Sequence, residues 1–139
     1  MKKVLSLLMG FVLSTAVLAH APLLSVDDNE DGSIYVECGF SNGASAGGIE
    51  FLLVEDKPYN GSEDAFEGKR ILYKGTLGED GSAEIVKPNV VAYQVVFNAG
   101  PGHIVGKKGP KLTHEEKENW NNLFEEADLG QWKDKVEGN

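Results

Sequence analysis

The sequence predicts an all-β sandwich followed by a C-terminal helix, and three observations carry that prediction. Short runs rich in β-branched and aromatic residues recur along the middle of the chain. Clusters of Gly, Asp, Asn and Pro punctuate them. After Thr113 the apolar period changes from two to that of a helix.

Residues 20–26 read as an extended lead-in and Asp27 to Gly32 as a turn. Ser33 to Phe40 alternates, with Ile34, Val36, Cys38 and Phe40 on one face and Tyr35 and Glu37 on the other; a strand with one buried face has this pattern. Ser41 to Gly48 is a loop of small residues. Ile49 to Glu55 is apolar on both faces in its middle, which predicts a central strand. Asp56 to Lys69, with Pro58, Gly61 and Gly68, reads as a long surface loop. Arg70 to Leu77 is a strand, Gly78-Glu79-Asp80-Gly81 a hairpin turn signal, and Ser82 to Val86 the return strand. Lys87-Pro88-Asn89 breaks it, and Val90 to Asn98 is the next strand. Ala99 to Pro110 is Gly- and Pro-rich and reads as a loop.

Thr113 to Glu116 fits a capping box. Trp120, Leu123, Phe124 and Ala127 then fall on one helical stripe, and Gly130 fits a helix stop. Glu115 and Glu116 are expected to favour the dipole at the helix start. Trp120 is expected in the core, and Trp132 follows the stop.

The N-terminus has the parts of an export signal. Lys2 and Lys3 form a positive start, Leu5 to Leu18 an apolar run, and Val17-Leu18-Ala19 a small-residue cleavage site. The run is short for a membrane span, which needs about 20 residues. The division expected is therefore a signal peptide over 1–19, a β-sandwich domain over 20–112, and a C-terminal helix and tail over 113–139. Cleavage after Ala19 would place the protein in the periplasm, or otherwise outside the cytoplasm.

The full chain has 13 Lys and Arg against 22 Asp and Glu, a net charge of −9. Removing Lys2 and Lys3 with the signal leaves 11 against 22, or −11. Nucleic-acid phosphates require a basic face, so they are excluded as partners, and anionic membrane surfaces are disfavoured. Cations are favoured, though weakly, because solvated acidic surfaces are common. Cys38 is the one cysteine, so no internal disulfide can form. No Gly-x-Ser-x-Gly elbow, phosphate loop or dinucleotide fingerprint is present, and nothing argues for an enzyme.

The histidines carry more information. Cleavage after Ala19 makes His20 the first residue, and it then offers its α-amine and its imidazole to one metal ion. Both must be free of protons to bind. Pro22 has no N–H, which rules out the amino-terminal copper motif that uses the amide of residue three. His103 follows Gly100-Pro101-Gly102 and is displayed on a loop whose glycines allow close backbone approach. A third nitrogen from His103 would complete a T-shaped site suited to Cu(II) or Ni(II). Cys38, on the apolar face of its strand, reads first as a core residue and second as a metal thiolate. His114 reads as a solvated helix residue.

The segments Ile49-Glu50-Phe51-Leu52-Leu53-Val54, Gly75 to Gly81, Lys87-Pro88, Tyr93-Gln94-Val95-Val96-Phe97 and Gly100-Pro101-Gly102-His103 together resemble a family of exported transthyretin-like or Ig-like sandwich domains found beside nickel and cobalt uptake systems. The resemblance covers about half of the mature chain. A second resemblance starts from His20-Ala21-Pro22-Leu23-Leu24-Ser25, which is similar to the mature start of the periplasmic copper-resistance C-type proteins, also Ig-like sandwiches. Two departures rank it second: Pro101 stands where that family has an acidic residue, and a helix is expected after His103 where that family has a final strand. Both resemblances imply a metal site built on the N-terminal histidine. They imply an exported protein that binds Ni(II), Co(II) or Cu(II) through His20 and His103, with Cys38 or a carboxylate as a further ligand, and that serves a membrane transporter component. The alternative expectation is a β-sandwich interaction module without metal, presenting its helix stripe or Trp132 to a partner protein.

Overall fold

The computed structural model describes residues 20–127. Residues 1–19, read from the sequence as a signal peptide, and residues 128–139, with Gly130 and Trp132, lie outside the described residues. Two antiparallel sheets make the sandwich. The smaller has the order β1-β2-β6, with β1 Pro22–Asp28, β2 Ser33–Phe40 and β6 Ser82–Val86. The larger has the order β4-β5-β3-β7-β8, with β3 Glu50–Glu55, β4 Ala65–Phe66, β5 Lys69–Thr76, β7 Tyr93–Asn98 and β8 Ile104–Lys108. Two short helices follow, α1 His114–Glu118 and α2 Trp120–Glu126. The expected class, an all-β sandwich with a C-terminal helical segment, is what the chain adopts.

Alternation sets the core. Ile34, Val36 and Cys38 of β2 face Phe51, Leu53, Val95 and Phe97 of the larger sheet across the interior. β3 is central as its two apolar faces predict, and Phe51, Leu52, Leu53 and Val54 are all buried. The outward pair, Leu52 and Val54, joins Ile71 and Val96 in a second cluster covered by Phe66. The segment read as a long loop thus contributes β4 and an apolar lid for that face.

Three local readings are corrected. First, Gly78 to Gly81 turns as expected, with Gly81 at φ 78° and the Gly78 N–H donating to the Ser82 carbonyl. The strands on either side are nevertheless not partners. β5 pairs with β3, while β6 crosses to the other sheet and pairs with β2. Leu77 is buried between the sheets, and the Gly81 carbonyl accepts from the Cys38 N–H, so the turn carries the chain across the core.

Second, Ala99 to Pro110 is a hairpin rather than a loop, because β8 pairs with β7 from Ile104 opposite Asn98 to Lys108 opposite Gln94. Only Ile104 and Val105 are apolar, and lysines follow them, which is the composition of a protected sheet edge. Third, the helix breaks at Asn119 (φ −100°, ψ 2°) into α1 and α2. The capping box forms as expected, with the Thr113 and Glu116 side chains each accepting from the other's backbone N–H. Trp120 and Phe124 stack at 4.9 Å and belong to the sandwich core, so most of the stripe is spent on the protein's own interior. Ala127, expected on that stripe, is exposed.

Candidate functional site

The two ends of the sandwich differ. β1 begins with Pro22 opposite Phe40, the last residue of β2. The Phe40 ring lies 5.6 Å from the Phe97 ring, and Phe97 is opposite Val105, near the start of β8. At the far end Asp28, which closes β1, and the Lys111 carbonyl, just past β8, both meet the Lys87 ammonium. β1 and β8 therefore start at one end and run the same way. They are edge strands of different sheets and lie in contact. His20 stands two residues before β1, and His103 stands immediately before β8. The fold brings the two predicted histidines to the same end, at neighbouring strand starts.

Each position is held from the backbone. The Ala21 N–H donates to Ser41 Oγ at 2.9 Å, and the Ser41 N–H donates to the Ala21 carbonyl at 2.9 Å. This reciprocal pair fixes the residue next to His20, while the His20 side chain is exposed. His103 closes the β7–β8 turn. Its N–H donates to the Gly100 carbonyl at 2.9 Å and its carbonyl accepts from the Ala99 N–H at 3.0 Å. Gly100 and Gly102 take φ of 101° and 78°, a region other residues rarely adopt, so the glycines around His103 are needed to make the turn. Asn98 supports it, accepting from the Gly100 N–H and donating to Glu50.

The His103 ring lies with Nδ1 3.2 Å from the Pro101 carbonyl. A carbonyl can only accept, so Nδ1 carries the proton. In the neutral ring Nε2 then has the free lone pair, the arrangement seen in metal-ligating histidines.

Cys38 sits apart from this geometry. It is opposite Leu24, inside the sheet, and is 7% exposed. Burial, with the Glu37 carboxylate adding to it, pushes its thiol pKa up to about 12. That environment opposes the thiolate a metal requires. His114 is exposed at the start of α1 and lies 3.3 Å from Glu118. No three His, Cys, Asp or Glu side chains converge as metal ligands among the described residues.

Sequence reasoning missed two groups of residues. One is Ser41, hidden in a loop of small residues. The other is a buried ionic cluster at the opposite end. Lys87, read as part of a strand break, is 0% exposed and lies 2.9 Å from Glu116 and 2.8 Å from Asp28. Glu116 also accepts from the Gly32 and Thr113 N–H groups. Burial pushes the Glu116 carboxyl up, but the Thr113 N–H, Lys87 and Gly32 outweigh it and hold the group below its ordinary range. Burial likewise lowers Lys87, and Asp28 and Glu116 outweigh it, so its pKa is raised. Trp120 Nε1–H donates to the Lys87 carbonyl at 2.8 Å and completes the cluster. Among the described residues no buried side-chain polar atom lacks a partner. Glu115, by contrast, is exposed.

A groove of about 540 Å³ is lined by Glu55, Asp56, Lys57, Val91 and Lys117 and includes neither His20 nor His103 in its lining. The Glu55 carboxylate at its wall is paired with Lys57 and Arg70. Among the described residues no helix is long and apolar enough to cross a membrane. Comparison with protein families, curated proteins and solved structures gave no match for the chain.

Proposed function

We propose that this is an exported metal-binding protein of the periplasm that takes up Ni(II), Co(II) or Cu(II) at the histidine end of the sandwich and passes it to a membrane transporter component. Export removes residues 1–19 and frees the amine of His20. That amine and the His20 ring chelate the ion, and His103 Nε2 supplies the third nitrogen. The observation that carries this reading is the adjacency of β1 and β8, edge strands of different sheets that start at the same end, each preceded by a histidine.

The chemistry of the donors supports it further. Three nitrogens in a T suit a tetragonal ion, Cu(II) above all. One of the three is a main-chain amine, so the site does not need three converging side chains. Cys38 is left out of the proposed site because it is buried on the core face of β2, opposite Leu24. β8 follows His103 where the copper-resistance pattern has a final strand, which supports copper, while α1 and α2 after it keep the C-terminal departure from that pattern.

The test uses the mature domain starting at His20 and a twin carrying one extra N-terminal glycine. The twin keeps every side chain and moves only the free amine. Titration calorimetry with Cu(II) and Ni(II) is expected to show strong one-to-one binding by the first and a loss of at least tenfold in the second, as for other disturbed metal sites. Equal binding by the two overturns the chelate at the His20 amine, and binding by neither overturns the metal site and leaves a metal-free interaction module in its place.

A further inference from the structure

We infer that Ser41 is a positioning residue for the metal site, which keeps the metal on the His20 amine and ring and off the adjacent backbone; this rests on the function proposed above. A terminal amine that binds Cu(II) or Ni(II) commonly recruits the next amide nitrogen, because the two close a chelate ring. Here that nitrogen belongs to Ala21. Its N–H already donates to Ser41 Oγ at 2.9 Å, and the Ala21 carbonyl on the same residue accepts from the Ser41 N–H. The following residue, Pro22, has no N–H to offer.

The consequence is geometric. With Ala21 pinned on both sides, the peptide plane after His20 is fixed against the β2–β3 loop. The amide N–H is turned toward the serine hydroxyl, and a metal could take that nitrogen only by breaking this hydrogen bond. The position it would have filled stays open for His103, whose turn lies at the same end. Ser41 is exposed and directly follows β2, so replacing it removes this one side-chain contact and leaves the core intact. The backbone half of the pair survives any substitution other than proline.

The experiment compares the mature domain with its Ser41→Ala and Ser41→Thr variants, each loaded with one equivalent of Cu(II). Affinity is read by calorimetry, and coordination by the visible absorption band and electron paramagnetic resonance. Ser41→Ala is expected to lose about tenfold or more in affinity, the usual effect of removing an outer-shell partner. Its visible band is expected to move to shorter wavelength as the Ala21 amide loses its proton to solvent, binds the ion as the amidate and displaces His103 as a neutral ring. Ser41→Thr, which keeps the hydroxyl, is expected to restore both. A variant that had merely lost fold stability would not change the band in this direction, and thermal melting of the metal-free proteins checks that. Unchanged affinity and spectrum in Ser41→Ala, with strong binding by the parent, overturn the role of Ser41 alone. No binding by the parent overturns the metal site itself and this inference with it.

Discussion

Lys87 shows how much one residue can hold in this protein. Its ammonium is fully buried, and two carboxylates and a carbonyl surround it. Burying a charge is costly unless partners compensate, and removing one partner leaves the others uncompensated. Lys87→Met is therefore expected to destabilise the fold by about 3 kcal/mol in denaturant unfolding, a figure at the low end because Asp28 is partly solvated. The pH dependence follows from the directions of the shifts. Glu116 is held below its ordinary 4.5, so its contribution is present above that pH and is lost as pH falls through the folded value. Lys87 is held above 10.5, so its contribution is present below that pH and is lost as pH rises through its folded value. The stability gap between the native protein and Glu116→Gln should accordingly shrink below about pH 4. Asp28 titrates in the same acid range and faces the same ammonium, so it adds to the loss. None of this was legible in the sequence. Residues 28, 87 and 116 are joined only by tertiary contact, and a lysine beside a proline reads as a turn.

Elements were legible where their pattern is local. The alternation of β2, the double apolar face of β3 and the capping box of α1 all gave the correct element. β8 escaped because two apolar residues cannot establish a period, and its neighbours are the glycines and lysines of a turn and an edge. The pairing of β6 escaped for another reason: Asp-Gly fixes how the chain turns, but the burial of Leu77 and the bond from Cys38 decide which sheet it joins. The helices depend on packing as well as capping, since α1 and α2 have five and seven residues and would be marginal alone. Trp120 docks them. Trp120→Phe keeps the aromatic stack with Phe124 but deprives the buried Lys87 carbonyl of its donor. A loss of about 1–2 kcal/mol is expected, with faster hydrogen exchange in α2 before the sandwich itself opens. Equal exchange in α2 of the two proteins would show that the indole N–H does not hold the helix.

At the scale of the whole molecule, the sandwich formed by the described residues has two unlike ends. The helices and the ionic cluster close the first, and His20, Ser41 and the β7–β8 turn make up the second. Both histidines could be nominated from sequence because of their settings, after a signal-like segment and after Gly-Pro-Gly. Their placement at the same end could not, since it depends on β1 and β8 being neighbours in different sheets. That adjacency has a mechanical consequence. No ladder of hydrogen bonds joins β1 to β8, so packing rather than backbone bonding holds the two sheets together along this seam. An ion gripping both strand starts would act as a rivet across it, tying residue 20 to residue 103 in a chain that has no second cysteine to make a covalent tie. In the proposed site the unfolded chain would retain the His20 chelate, so only the grip on His103 would distinguish folded from unfolded protein. Cu(II) is therefore expected to raise the melting temperature of the mature domain, as any ligand favouring the folded state must, and to leave that of His103→Ala nearly unchanged. Equal shifts in the two would mean that the rivet has one leg.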